Sequence, residues 1–252
     1  MPPQAAPTAA MLVIGNEILS GRTQDKNVVH VAKRMSDLGV RLSEVRVVPD
    51  VRDRIVAAVR ELSSAWDYLI TTGGIGPTHD DITTECVAAA MGVEVERNAE
   101  AHRRLRAHYE GTEIELNEAR LRMANIPVGA TLIDNPVSAA PGFRLANVFV
   151  LAGVPAIMKA MLAVLEPQLV RGPPLRSRTR VVSRPEGLIA GDLAAVAAEY
   201  PDVDIGSYSF YRPPDIGTSL VLRAADPDRL DQCADAVRRF LTRLGAPFRE
   251  EP

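Results

Sequence analysis

The sequence predicts an α/β protein: a domain built on a mostly parallel sheet with helices on its faces, followed by a small α+β domain. Three observations carry this. Short apolar runs alternate with segments of helical apolar spacing across residues 11–91, the order that builds a parallel sheet with helices on its faces. The third run, 68–70, opens into Thr71-Thr72-Gly73-Gly74-Ile75-Gly76-Pro77-Thr78-His79-Asp80-Asp81, and ligands of open parallel sheets sit at the carboxyl ends of strands. Past Arg171-Gly172-Pro173-Pro174 the order of elements changes, and such a Pro/Gly stretch marks a domain boundary.

Each element has a local reason. Residues 11–14 are an apolar run stopped by Gly15, as in a buried strand. Val28, Val29, Val31, Ala32, Met35 and Leu38 recur at helical spacing, with Gly39 as C-cap. Residues 40–48 alternate as a strand, Ile55, Val56, Val59 and Leu62 mark a helix, and another covers 82–91. Polar helical segments follow at 99–109 and 115–125, and strands resume at 131–133, 143–145 and 148–151. A helix over 155–169 begins with Pro155 in its first turn. The second unit reads strand 179–183, helix 190–200, strands 203–208 and 218–223, and helix 227–244. The expected division is a flexible tail at 1–10, a nucleotide- or pterin-phosphate-binding domain at 11–171 and a small domain at 175–252.

Composition sets the outer bounds. The 252 residues are 46% hydrophobic and 24% charged, which suits ordinary globular domains. A net charge of −3 gives no general attraction to nucleic acid or anionic membrane. The arginine-rich stretch 171–184 lacks aromatic residues for base stacking and reads as a solvated linker. Cys86 and Cys233 lie outside metal-ligand spacing in apolar helical patterns, so buried free thiols are expected. The first ten residues carry no basic side chain, and the apolar run after them is too short for a membrane span. A cytoplasmic protein is expected, with no nucleic-acid or membrane partner.

The chemistry concentrates on the glycine loop. Gly73, Gly74 and Gly76 let the backbone approach a ligand closely, and a helix beginning after the loop would offer N–H groups to an anion. Asp80 and Asp81 would repel a phosphate unless a cation lay between them, and a hard divalent ion takes carboxylate and phosphate oxygens together. One aspartate is expected to cap the helix and Asp81 to be the functional one. His79 reads as a phosphate contact or an acid, or equally as an exposed loop residue. Asp50, at the end of the second strand, is expected near these acids or as a helix cap. Glu17 and Ser20 share that sheet edge and suit a substrate hydroxyl or a metal-bound water, while Asn27 reads as a helix cap. The loop from Asn135 to Gly142 and the turn Gly153-Val154-Pro155 are two further candidates. Tyr208 and Tyr211, beside Arg212-Pro213-Pro214, suit packing or dimerisation, with a lip over the site as the alternative. No GxSxG elbow, HExxH or GxxxxGK[ST] loop occurs.

Four stretches together resemble the molybdopterin-binding-fold family: Gly15-Asn16-Glu17-Ile18-Leu19-Ser20-Gly21, TTGGIGPTHDDIT at 71–83, Asn135-Pro136 with Ala140-Pro141-Gly142-Phe143, and Gly153-Val154-Pro155 with Met158. The resemblance is closest to the N-terminal region of competence/damage-inducible protein A (CinA) and to the related domain of FAD synthetases. It spans about residues 11–169. The small domain resembles the KH-type domain of CinA proteins but has no GxxG loop, so RNA binding is not implied. The sequence departs from the family pattern at Ser138-Ala139, Ala152 and Ile157. It ends before any CinA-type amidohydrolase domain, so that activity is not expected.

The resemblance implies a three-layer α/β/α fold of the molybdopterin-binding type and, for the CinA-type branch, a metal-dependent nucleotide pyrophosphatase acting on ADP-ribose-like dinucleotides. Asp81 and Asp50 match its catalytic acids. Asp50, Asp80 and Asp81 would hold a divalent cation (Mg, Mn or Co). Gly73, Gly74, Gly76, Thr78, Glu17, Ser20, Asn135 and Gly153 would hold the ligand. The molybdenum-cofactor branch implies the alternative, a protein that binds molybdopterin or a nucleotide without hydrolysis. A third reading is a regulatory oligomer with a decayed site. The expected partners are a small-molecule nucleotide or pterin and further copies of the chain.

Overall fold

The first strand decides the layering. In the computed structural model, which describes residues 6–212 and 215–251, Thr8–Ile14 form β1. Ala10, Leu12 and Ile14 face one core, while Ala9, Met11 and Val13 face another. This is the two-residue period of a strand buried on both faces.

The first unit continues with α1 (Asn16–Leu19), α2 (Asn27–Asp37), β2 (Arg41–Val48), α3 (Arg52–Ala65), β3 (Tyr68–Thr72), α4 (Thr83–Met91), β4 (Val95–Arg97) and α5 (Ala99–Tyr109). Then come α6 (Glu118–Leu121), β5 (Asn125–Pro127), β6 (Thr131–Ile133), β7 (Gly142–Leu145), β8 (Val148–Leu151) and α7 (Pro155–Leu165). The central sheet runs β2-β1-β3-β8-β7-β6. Neighbours among the first four strands are parallel, and β7 runs antiparallel to both of its neighbours. Ile55 and Leu62 of α3, Cys86 of α4 and Leu105 of α5 cover one face. Val31 and Met35 of α2, with Met158 and Leu162 of α7, cover the other. The expected three-layer α/β/α domain is therefore present.

Several expectations are corrected. Thr8, Ala9 and Ala10 are not part of a tail: Thr8 donates its amide and hydroxyl to the Asp67 carboxylate, at 2.8 and 2.7 Å, and both alanines are fully buried. Alanine carries little strand signal, but its small side chain fits where helices pack closely on the sheet. Residues 1–5 lie outside the described residues. The expected helix over 115–125 breaks into α6, a 3-10 turn at Arg122–Ala124 and β5, which pairs with β4 as a two-stranded ribbon. The 155–169 helix ends at Leu165 and passes into a 3-10 turn.

The chain divides after Gly172, within the Pro/Gly stretch. The second unit holds β9 (Arg176–Val182), α8 (Ala190–Glu199), β10 (Asp204–Arg212), β11 (Asp215–Ala224), α9 (Pro227–Arg243) and β12 (Phe248–Glu251). Its antiparallel sheet runs β10-β11-β9-β12. Leu220 and Leu222 of the sheet pack with Val196 of α8 and with Leu230, Val237 and Phe240 of α9. Asp226 caps α9 by accepting the amides of Asp228 and Arg229, with Pro227 in the first turn. Tyr208 and Tyr211 are exposed on β10, and Pro213 and Pro214 lie outside the described residues. Both cysteines are free and buried, and burial pushes their thiols up to about 11. Among the described residues no helix is long and apolar enough to cross a membrane.

The arginine-rich stretch is not a linker through its length, because residues 176–182 form β9 and Arg180 is only 5% exposed. Arg180 donates to Glu250 at 2.7 Å, while its Nε and Nη1 have no partner among the described residues. Buried, half-satisfied ionic groups are often less stabilising than an apolar side chain of similar volume. Arg180→Met is therefore expected to leave the unit as stable as before or more stable, by up to about 2 kcal/mol. Urea denaturation of the two chains checks this; a loss of stability above about 1 kcal/mol overturns it.

Candidate functional site

The loop leaves β3 at the carboxyl edge of the sheet, where two glycines are required. Gly73 has φ +99, and a Cβ there would lie 2.1 Å from the Ile14 carbonyl oxygen. Gly74 has φ +66, and its Cβ would lie 2.2 Å from the Thr83 hydroxyl. Thr83, the first residue of α4, ties the turn down. Its hydroxyl donates to the Gly73 carbonyl at 2.9 Å and its amide to the Gly74 carbonyl at 3.0 Å. The first amide of the helix is thus occupied. Gly74, Ile75 and Gly76 line a cleft, and their amides have no acceptor among the described residues. Successive free amides are an anion-binding arrangement.

The cleft encloses about 510 Å³, within the range of small-molecule sites. The glycine loop, the turn Gly153-Val154-Pro155, Glu17, Thr23, Asn135 and Ser138 all line it, and Gly153 lies directly beside Gly73. Ser138, Ala152 and Ile157, positions at which the sequence departs from the family pattern, all line this space.

The paired acids meet at one hydroxyl. Asp81 lines the cleft and accepts the Thr78 amide at 2.8 Å. The Thr78 hydroxyl lies within hydrogen-bond reach of both carboxylates, with Asp80 at 2.6 Å and Asp81 closer still. One hydroxyl has one proton, so it serves one acid at a time and the two carboxylates converge on it. Donation from Thr78 holds the Asp80 carboxyl below the usual carboxylate range. Gly76 makes room for this arrangement, because a Cβ there would lie 2.6 Å from an Asp81 carboxylate oxygen. Asp80 and Asp81 are the neighbouring carboxylates that could hold a hard divalent cation, and of the two only Asp81 lines the cleft.

The structure redistributes several expected roles. Asp50 accepts the Asn16 amide at 2.8 Å, at the start of α1, and does not line the cleft. Among the described residues no three His, Cys, Asp or Glu side chains are grouped to hold a metal. The expected set of Asp50, Asp80 and Asp81 is therefore not grouped among the described residues. Ser20 is exposed outside the cleft, with its hydroxyl 3.3 Å from the Glu17 carbonyl, whereas Glu17 lines it. Asn135 spends its side-chain amide on its own loop, donating to Ser138 and Ala140 and accepting from the amides of Val137 and Ser138. Thr78 likewise points its polar groups into the loop. His79 is 96% exposed.

Two residues carry site roles that the sequence did not reveal. Arg122 donates to the carbonyls of Thr78 and Asp81, at 3.0 and 3.3 Å, and so pins the acidic segment. Its partners lie more than forty residues away, with no local signal to join them. Asn27 is not a cap: Asp25 fills that role by accepting the Val28 amide, while Asn27 donates to the Gly153 carbonyl at 2.8 Å.

An open, mostly parallel sheet with free loop amides and paired acids at its strand ends defines a ligand-binding α/β domain of the three-layer class. Residues 10–171 match the model described as probable molybdopterin binding domain, and the chain belongs to that family. Residues 174–245 match the FAD synthase middle domain. A protein from Pyrobaculum calidifontis is 35% identical over 250 residues, covering 94% of this chain and 95% of its own length. A CinA-like protein from Citrifermentans bemidjiense is 35% identical over 251 residues, covering 96% of this chain. This chain spans 60% of that relative's length. Among solved structures, the protein CinA from Thermoplasma acidophilum, described as of unknown function, has a TM-score of 0.61 at 33% identity. That likeness covers 66% of this chain and 99% of the other.

Proposed function

We propose that the cleft binds a nucleotide diphosphate of the ADP-ribose type and that the protein hydrolyses its pyrophosphate bond with a divalent cation at Asp80 and Asp81. The observation that carries this reading is the single loop that offers three unpartnered amides beside two converging carboxylates. The amides of Gly74, Ile75 and Gly76 take up diphosphate oxygens. The two acids alone would repel that diphosphate, so the same loop calls for a cation between them. A bound cation would polarise the phosphorus–oxygen bonds and lower the pKa of the attacking water. Asp81 is held for this task by the Thr78 amide and backed by Gly76, and Arg122 keeps the segment in place. Water adds to one phosphorus, the bridging P–O bond breaks, and two phosphate monoesters leave.

A second reading, binding of a molybdopterin or nucleotide without hydrolysis, is favoured by one observation: among the described residues no three acids are grouped to hold a metal. Melting curves with ADP-ribose, FAD, NAD, ATP and molybdopterin, each with Mg²⁺, Mn²⁺ or Co²⁺, separate the readings when followed by product assays. ADP-ribose with a divalent ion is expected to raise Tm, because a ligand that binds only the folded state stabilises it by about 2.7 kcal/mol at a hundred times its Kd. EDTA is expected to remove most of that shift and all turnover. Binding with no product under any metal selects the second reading, and no shift with any compound overturns both.

A further inference from the structure

The glycine loop forms only part of the cleft wall. At about 510 Å³ the cleft falls in the range that encloses a drug-sized ligand, so a diphosphate on the loop leaves room beside it. Along the carboxyl edge of the sheet the glycine loop follows β3, the turn from Ala152 to Pro155 follows β8, and the loop from Asn135 to Ala140 follows β6. These strands stand in the order β3-β8-β7-β6. β6 and β8 are both antiparallel to β7, so the carboxyl end of β6 lies on the same edge as the other two. Neighbouring strands are about 4.8 Å apart, which sets the β6 loop about 14 Å along the edge from the glycine loop.

The cleft has apolar walls from both helical layers. Ile75, Met123 and Ala140 pack on the core shared with α3, α4 and α5, whereas Ala152 and Ile157 pack on the core shared with α2 and α7. All five line the cleft, and all five are half-buried, so each keeps accessible apolar surface. A slot with one apolar wall from each layer suits a flat ring, which buries both of its faces there.

The polar side chains at that end have little left to offer the edge of such a ring. Asn135 donates both amino hydrogens, to Ser138 at 2.7 Å and to the Ala140 carbonyl at 2.8 Å, and its oxygen accepts the amides of Val137 and Ser138. The Ser138 hydroxyl, which accepts from Asn135, keeps one proton to give, and every nucleobase carries an acceptor for it. Among the described residues no lysine, arginine or histidine lines the cleft. Its charged side chains are Asp81, on the glycine loop, and Glu17, which follows β1 on the far side of β3 from β8.

We propose that Met123, Ala140 and Ile157 form a slot that holds the base of a nucleoside diphosphate by its faces and does not distinguish one base from another. The proposal rests on the diphosphate reading given above and names its substrate class: nucleoside diphosphates and their sugar derivatives, whatever the base. Apolar and stacking contact tolerates any base, because every base has a π-face. Choosing between bases requires hydrogen-bonding groups built to meet one particular edge.

Calorimetric titration of ADP, GDP, UDP and inorganic pyrophosphate, each with Mg²⁺, into the full chain and its Ile157→Ala and Met123→Ala variants tests this. The wild type is expected to bind the three nucleotides within about tenfold of one another, and each about tenfold or more tighter than pyrophosphate. Each variant is expected to weaken all three nucleotides by about three- to tenfold and to leave pyrophosphate unchanged. A preference beyond about tenfold for one base shows that its edge is read and overturns the proposal. Nucleotides that bind no tighter than pyrophosphate show that nothing holds the base, which overturns the slot and leaves the diphosphate reading standing. Variants that lose pyrophosphate and nucleotides equally also overturn it, since the side chains then act on the loop and not on the base. If neither variant folds, the wild-type series decides alone. Wild-type protein that binds none of the four compounds overturns the diphosphate reading and the slot together.

Discussion

Replacing Asp81 by Asn is expected to lower hydrolysis of a nucleotide diphosphate by about a hundredfold or more while the protein still folds. The two parts of that expectation have separate causes. Asparagine keeps an oxygen where Asp81 accepts the Thr78 amide, and it adds no atoms against Gly76. The loop should therefore hold its shape, and Tm should stay within a few degrees. The negative charge is lost. Asp80 then stands as the single carboxylate on the Thr78 hydroxyl, too little to hold a divalent cation beside a diphosphate with the same strength. Steady-state rates and melting curves, measured on the same preparation, check both parts. A variant with wild-type turnover removes the pyrophosphatase reading. A variant that has lost turnover but still binds ADP-ribose supports it.

The second large effect falls on stability. Gly73→Ala is expected to cost about 3 kcal/mol or more. Alanine at φ +99 is strained in any setting. Here its methyl would also lie 2.1 Å from the Ile14 carbonyl oxygen, a backbone atom of the neighbouring strand that cannot swing aside. Relief requires β1 and β3 to separate at their carboxyl ends, which moves the free amides of the loop. Gly92 is the control. It has a similar positive φ of +72 but nothing within 4 Å of its Cβ position, so Gly92→Ala should cost only about 1 kcal/mol. Urea denaturation of the two variants measures the difference. Equal costs would show that the contact with Ile14 relaxes freely.

The contrast between these glycines separates what is local from what is not. β3, its glycine loop, β8 and α7 are legible because their signals lie within a few residues: apolar runs, Gly and Pro punctuation, a helical period. The two cores are legible for the same reason, since β1 is apolar on both faces. β4, β5 and β12 are not, because three- or four-residue edge strands are held by a partner's backbone and not by their own pattern. The alanines of β1 and the buried Arg180 mislead in the same way. Their placement depends on what packs over them.

At the site, the sequence alone determined the position of the glycine loop and the pairing of Asp80 with Asp81. Each is a property of consecutive residues at a strand end. Only the tertiary structure decided that Asp50 turns to Asn16, that Arg122 clamps the acidic segment and that Asn27 reaches Gly153. Those contacts join residues 34, 44 and 126 positions apart. A short polar side chain can satisfy itself in many ways, and which one it takes is settled by the backbone groups that the folded sheet brings within its reach.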